Sequence, residues 1–283
     1  MKKITVTKKT TAKVVGGLAK YIVLIFIFAF LLFPVYWMLV TALKTNIESY
    51  RLVPTLWPET ISLDGFKTLI SEFLVYYKNN IIVSAMAAVI ICFISVFAGY
   101  ALSRFHFKWN KMLLATFAFA QMMPVISRLI SLYTILRKLN LTDTHIGLVL
   151  AISATQVPFT VSLMASFFDG IPGELEEAAS IDGSGRFYTL FHIIMPLVVP
   201  GLLAVGVYSF LMTWDDYLHA ITLIRSNDLW TLSQGLKLTY LGEVSDWQLI
   251  NSASTLGTVP MIFVFFFFQK YMIKGLTAGA VKG

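Results

Sequence analysis

Apolar residues along most of this chain come in long unbroken runs, not at the spaced positions of a surface helix. A helix needs roughly 20 apolar residues to cross about 30 Å of hydrocarbon. Runs of about that length occupy 21–43, 81–102, 147–168, 197–213 and 252–268, with a shorter one at 112–127. This pattern predicts an all-α integral membrane protein with six transmembrane helices, so that both termini lie on one side. The runs hold no Asp, Glu, Lys or Arg, although Pro34, Pro124, Pro158, Pro200 and Pro260 interrupt five of them. Prolines are tolerated in membrane helices when neighbouring groups satisfy the freed carbonyl.

The polar segments divide into a few kinds. Residues 1–20 form a basic N-terminal segment with six lysines and no acid. It imitates the start of a secretory signal, but the run after it is too long and lacks a small-x-small cleavage site, so a retained first span is expected. Residues 44–80 are mixed in charge, contain Pro54, Trp57 and Pro58, and are expected to hold a short helix near 63–74. Residues 129–139, flanked by Arg128, Arg137 and Lys138, read as an amphipathic helix lying at the interface. Inside the runs, Gln121 and Gln156 are the polar side chains that stand out; each either bonds a neighbouring helix or lines a permeation path.

Composition agrees with the pattern. The 283 residues are 57% hydrophobic and 13% charged, which excludes an ordinary soluble domain. The formal charge of +7 does not indicate nucleic acid, because the basic residues sit beside the apolar runs and form no separate basic domain. With the N-terminus inside, 13 of the 22 Lys and Arg fall on the cytoplasmic side, which favours a cytoplasmic location for both termini in the cell (plasma or inner) membrane. Cys92 is the single cysteine and lies in an apolar run, so neither a disulfide nor a CxxC pair is available. His106 sits between Arg104 and Lys108 and reads as a solvated loop histidine.

One polar stretch, 169–196, carries a dense ordered pattern. Pro172 and Gly173 open it, and Glu174, Glu176 and Glu177 crowd a first helical turn, where the helix dipole favours carboxylates. Leu175, Ala178, Ala179 and Ile181 mark an apolar side of a short helix that Asp182 and Gly183 stop. A second short helix over 186–195 is expected to run into Pro196, which would start the next span.

Glu177-Ala178-Ala179, Gly183, Ile193, Met195 and Pro196, at these spacings, resemble the EAA loop of ABC-importer permeases, with Met195 where the family has leucine. The additional Glu174, Asp182, Phe191 and Pro200 look like its carbohydrate branch, which includes the maltose permeases. Trp214-Asp215-Asp216-Tyr217 and Thr231-Leu232 through Gly235-Leu236 resemble elements of that branch, with Asp215 where asparagine is usual. The segment 269–283 is similar to its C-terminal tail.

The resemblance implies a type I ABC importer permease fold over 21–283 with cytoplasmic coupling helices, serving an importer for an oligosaccharide or other sugar. It implies ATPase-coupling roles for Glu174, Glu177, Ala178, Ala179, Asp182, Gly183, Ile193 and Pro196, and an ATPase contact in the tail that includes Gly275 and Lys282. Gln121, Gln156, Trp214 and Asp215 are candidates for the substrate path, with capping of the fifth span as the other use of Asp215. The implied partners are a homologous second permease in a heterodimer, two ATPase subunits, an extracytoplasmic solute-binding protein and membrane lipid. No cofactor is expected on this chain, with ATP and Mg on the partner ATPase. A permease for a non-sugar solute and a secondary carrier are the competing readings. The chain contains no G-x-x-x-x-G-K-[ST], HExxH or GxSxG, which points away from an ATPase or an enzyme. The charge-free spans disfavour a carrier driven by protons or sodium.

Overall fold

In the computed structural model residues 8–105, 108–240 and 246–278 are described, and every regular element among them is helical. In chain order these are α1 (Lys8–Ala42), α2 (Asn46–Ser49), α3 (Asp64–Glu72), α4 (Leu74–Arg104), α5 (Asn110–Met122) and α6 (Val125–Lys138). Then come α7 (His145–Asp169), α8 (Glu174–Ile181), α9 (Arg186–Thr189), α10 (Met195–Trp214), α11 (Leu218–Leu223), α12 (Leu232–Tyr240) and α13 (Trp247–Ala278). Five stretches among the described residues are long and apolar enough to cross a membrane: Lys20–Ala42, Leu74–Arg104, His145–Asp169, Arg186–Trp214 and Trp247–Lys270. His106 lies outside the described residues.

The run at 112–127, read above as a third span, is not one straight helix. It breaks at Met123–Pro124, where α5 and α6 meet at 106° and count as a sixth span only if the bent pair is taken together. Met123 is extended (ψ 134°) because the following proline ring disfavours helical geometry, and Pro124 has no N–H to continue the ladder. The amphipathic segment expected over 129–139 is part of α6, which buries Leu129 and Leu136.

A second difference lies just before Pro196, which itself falls in the first turn of α10 as expected. The helix expected over 186–195 and the fifth span are one continuous helical run, because α9 joins α10 through a π turn at Leu190–Ile194. The N–H of Met195 donates to the carbonyl of Leu190, five residues back. Pro196 cannot donate to the carbonyl four back, and the register shift of the π turn accommodates that loss without ending the helix.

By its contacts the chain divides into two compact units: Met1–Ile70 with Glu243–Leu256, and Ser71–Gly242 with Gly257–Gly283. In the first, the apolar side chains of α1 from Tyr21 to Phe28 are all exposed, which suits a lipid-facing helix. The far end of α1 is fastened by polar bonds. Ser252 Oγ donates to the Ala42 carbonyl, Ser62 N to the Leu43 carbonyl at 2.9 Å, and Gln248 Nε2 to Ser62 Oγ at 2.9 Å.

In the second unit, α4 packs along α7 and α10 lies against both. Val83, Ala87, Ile91, Leu148, Ile152, Met164, Phe168, Ile194 and Val205 form its buried centre. Lipid tails are as apolar as these side chains, so close packing and interhelical hydrogen bonds must supply the association. Both are visible between α4 and α7. Ser95 Oγ donates to Thr160 Oγ1 at 2.9 Å in a buried site, and Gly99 lets the helices approach until an added Cβ would lie 3.0 Å from the backbone N of Ala165. α4 also begins at Leu74, earlier than the expected second span. Its extra turn puts the Asn79 amide onto the carbonyls of Asp228 and Trp230 and the Asn80 amide onto that of Trp214, which ties down the connection after α10.

Candidate functional site

The segment 169–196 follows directly from α7, and its first bonds run back to the end of α4. Ser103 Oγ donates to Asp169 Oδ1 at 2.6 Å, and Arg104 Nη2 donates to the Ile171 carbonyl at 3.0 Å. Arg104 Nε then pairs with Glu176 Oε1 at 2.5 Å, and the Tyr100 hydroxyl donates to Glu176 Oε2 at 2.9 Å. Both charged side chains are mostly buried, at 16% and 20% exposure, so solvent screens this pair less than a surface ion pair. Tyr100 is itself fixed by edge-on packing against Phe105 and Phe168. The bonds orient α8. Glu176 and Ala179 point inward, whereas Glu174, Glu177, Ala178 and Asp182 are exposed together with Leu175 and Ile181.

The helix ends by backbone chemistry. Asp182 is its last half-helical residue, Gly183 follows with φ +81°, Gly183 N donates to the Ser180 carbonyl and Ser184 N to that of Ala179 at 2.9 Å. This pair of bonds is the Schellman arrangement, and it requires the left-handed conformation that glycine adopts without penalty. The chain then turns into α9. Arg186 lies 5.3 Å over the Phe105 ring, and Tyr188 stacks on His192 at 4.1 Å. Ile193 is partly buried, its neighbour Ile194 fully buried, and Pro196 exposed.

A cavity of about 540 Å³ lies between α8, α9 and the end of α4, with Tyr100, Arg104, Glu176, Ser180 and Arg186 in its wall. Outside it the loop leaves a mixed surface uncovered: the exposed carboxylates of α8 beside Ile181 at 87% exposure and Phe187 at 74%. A surface of that kind suits docking against another protein, since exposed apolar groups ringed by charge mark interaction sites.

Of the residues that mark the apolar side of α8, Leu175, Ala178 and Ile181 are exposed and Ala179 is buried. Glu176, one of the three acids in the first turn of α8, is the residue that anchors the helix. Its partners lie 72 and 76 residues away, so no local pattern announces them.

The four residues assigned to a substrate path do not form one cluster. Gln156 Nε2 donates to Thr213 Oγ1 at 3.1 Å, its Oε1 is buried without a partner, and Trp214 beside Thr213 is buried with Nε1 on the Gly257 carbonyl. Gln121 is exposed on α5. Asp215 is exposed at the end of α10, and the next residue, Asp216, makes the local contacts: it accepts from His219 N at 3.0 Å and lies 2.7 Å from His219 Nδ1. In the tail, Gly275 belongs to α13, and Lys282 lies outside the described residues.

The apolar helices and their all-helical packing define a multi-pass membrane protein. The chain belongs to the family of binding-protein-dependent transport system inner membrane components, whose family model matches residues 92–278. Along almost its whole length it is similar to the inner membrane ABC transporter permease protein YcjP of Escherichia coli (strain K12), 34% identical over 98% of this chain and 99% of that one. It is 33% identical to the sulfoquinovosyl glycerol transport system permease protein SmoH of Agrobacterium fabrum, over 89% of each chain. Among solved structures, a chain of a bacterial ABC transporter involved in the import of the acidic polysaccharide alginate superposes with a TM-score of 0.79, at 20% identity, over 92% of this chain and 97% of that one. The fold is that of a type I ABC importer permease.

Proposed function

We propose that this chain is the transmembrane permease subunit of an ATP-driven importer for carbohydrate, without catalysis of its own. The observation that carries the coupling role is the α8 surface, which is fixed at its base by Arg104–Glu176 and left uncovered on its acidic and apolar side. The relatives named for sulfoquinovosyl glycerol and alginate support a sugar as the solute. On this reading the chain pairs with a second, homologous permease, two ATPase subunits dock on the cytoplasmic α8 surfaces, and a binding protein delivers solute from outside. ATP and Mg belong to the ATPase, and both termini of this chain lie in the cytoplasm.

The residues have separable roles. Glu174, Glu177 and Asp182 offer charge to the docking partner, Ala178 permits close approach, and Ala179 seats the helix. Closure of the ATPase pair displaces α8. Gly183 and the short segment to α9 carry that displacement into the continuous 186–214 helix through Ile193 and Pro196, and Arg104 carries it into α4. Gln156 and Trp214 lie where α7 and α10 meet and are the best placed of the four path candidates, beside Gln121 and Asp215. Gly275 and Lys282 supply a further ATPase contact.

Co-purification tests the reading. The chain, expressed with its candidate second permease and ATPase, is expected to retain the ATPase in detergent and to support sugar uptake in proteoliposomes. Gly183→Val is expected to reach the membrane at normal level and lose uptake. Normal uptake by that variant would remove the coupling role of α8.

A further inference from the structure

The first unit contains a second polar cavity, remote in sequence from the α8 loop. It has a volume of about 320 Å³, at the small end of the roughly 300–1,000 Å³ typical of ligand pockets, which is room for one ring and not for a chain. Its wall includes Trp37 and Thr41 from the end of α1, Lys44 just after it, Glu48 of α2, and Trp247 and Asn251 from the start of α13.

This wall holds two buried charges. Lys44 is 2% exposed and Glu48 5% exposed. Burying a charge costs several kcal/mol, so both must be compensated locally. Lys44 Nζ donates to the Thr55 carbonyl at 2.5 Å and lies 4.5 Å over the Trp37 ring. Glu48 accepts from Thr55 Oγ1 at 2.6 Å and from Glu59 N at 3.1 Å. Burial raises the Glu48 pKa, but the bonds from Thr55 and Glu59, with Lys44 and Arg51 nearby, outweigh it and hold the carboxyl below its usual range. The site therefore carries a fixed anion and a fixed cation, with no excess of either.

Three further groups point to a ligand class. Thr41 is 7% exposed, and its hydroxyl is buried without any hydrogen-bond partner although it lines the cavity. An unsatisfied buried hydroxyl costs about 1–3 kcal/mol, which a bound hydroxyl would relieve. Trp247 lines the cavity and is 44% exposed overall, so its indole is available as a flat apolar platform. Asn251 uses Nδ2 on the Trp247 carbonyl at 2.8 Å, and its amide has further donor and acceptor capacity. An indole face combined with a carboxylate, a hydroxyl and an amide fits a molecule with an apolar ring face and hydroxyls around its rim.

We propose that this cavity is a subsite for a single neutral sugar ring, stacked on Trp247 and hydrogen-bonded at its rim by Glu48, Thr41 and Asn251. It rests on the carbohydrate reading above and adds a place where this subunit itself meets the solute. With the charges of Lys44 and Glu48 balanced, the wall has no net positive charge to compensate a phosphate or uronate group, so an anionic lipid headgroup does not suit the site.

The test uses the assembled permease pair and ATPase in phosphatidylcholine nanodiscs, because maltoside detergents carry the ligand chemistry themselves. Radiolabelled maltotriose, arabinotriose and trigalacturonate are the probes, measured by equilibrium dialysis and, with the binding protein added, by transport in vesicles. The expected result is saturable binding of a neutral trisaccharide that weakens at least tenfold in Trp247→Ala and Glu48→Gln. Trp57→Ala, outside the cavity, leaves it unchanged. Thr41→Val guards against a folding explanation: it removes an unpartnered hydroxyl, so thermal stability holds or rises while binding falls several-fold. Transport and binding of a neutral sugar that none of the three cavity variants alters would overturn the subsite and leave the carbohydrate reading standing. If no sugar is bound or transported by a complex that hydrolyses ATP, the carbohydrate reading fails and the subsite with it.

Discussion

Arg104 Nε lies 2.5 Å from Glu176 Oε1, and this pair joins the end of a membrane-spanning helix to the short helix that faces the cytoplasm in our reading. The Tyr100 hydroxyl on the second Glu176 oxygen makes it a three-residue connection. A flexible loop would absorb a push on α8 by bending; a helix held at its base passes the push to α4. Glu176→Gln keeps two hydrogen-bonding atoms but loses the charge, and it is expected to cost about 1.5–3 kcal/mol, as for a hydrogen bond to a charged group. Glu176→Ala is expected to cost more, and to reduce uptake while ATP hydrolysis by the complex continues. Thermal denaturation, uptake and phosphate release measured on the same preparations check this.

Gly183 supplies a graded test. At φ +81° a β-carbon is strained, and no neighbouring atom lies near enough to add a steric term. Asparagine tolerates this conformation better than alanine, and β-branched residues tolerate it worst. Uptake is expected to fall in the order Gly, Asn, Ala, Val, with about 1–2 kcal/mol lost in the alanine variant. Equal activity for the Asn and Val variants would show that the backbone conformation is not what matters.

Asp143 connects the turn before α7 to the connection after α11. Its carboxylate accepts from Ser226 Oγ at 2.5 Å, Ser226 N at 2.9 Å and Arg225 N at 2.8 Å, and these bonds, the Ser226 hydroxyl foremost, hold its pKa below the ordinary carboxylate range. A depressed folded pKa means that the unfolded chain takes up the proton first as pH falls. The contribution is therefore complete above the unfolded carboxyl value of about 3.9 and disappears as pH drops through the lower folded value. Asp143→Asn is expected to be less stable than the parent at pH 7, with the difference shrinking as pH falls below the unfolded carboxyl value, followed by thermal denaturation as a function of pH.

Gly99 tests the α4–α7 contact. An added Cβ would lie 3.0 Å from the backbone N of Ala165 and 3.0 Å from Met164 Cβ, so one helix must shift. Gly99→Val is expected to cost about 1–3 kcal/mol, as overpacking does, and to lower the yield of folded protein in membranes. Gly206→Ala, whose nearest neighbour is the Cys92 sulfur at 3.2 Å, is expected to be milder. Size-exclusion profiles of the two variants provide the comparison.

Membrane orientation is open to direct labelling. In a Cys92→Ala background, Ile181→Cys places a thiol at a position 87% exposed on α8. An impermeant maleimide is expected to react with it in inverted vesicles and not in right-side-out ones. The opposite pattern would reverse the proposed topology.

The apolar runs made the spans legible because a membrane helix is specified by local composition alone: each must satisfy its own backbone and present apolar side chains to lipid. Gly183 was legible for a similar reason, since a helix stop at Asp182-Gly183 depends on a few adjacent residues. The bend at Met123–Pro124 was not read from composition, because an apolar run containing proline is compatible with a kinked span or a broken one, and surrounding contacts decide between them. Pro196 falls in the first turn of α10 as its sequence setting suggested, but the π turn at Leu190–Ile194 that joins α9 to α10 is a register adjustment without a residue signature.

Sequence alone determined the class of protein, the number and placement of its apolar segments, and the ordered motif from Glu177 to Pro196. All are properties of contiguous residues. The tertiary structure alone decided that Glu176 and not its acidic neighbours is the anchor, that Leu175 and Ile181 face outward, and that Thr41, Glu48 and Trp247 line one cavity. Those facts depend on side chains that meet across tens to hundreds of residues, and a hydrogen bond or a cavity wall exists only once the helices carrying its parts have packed.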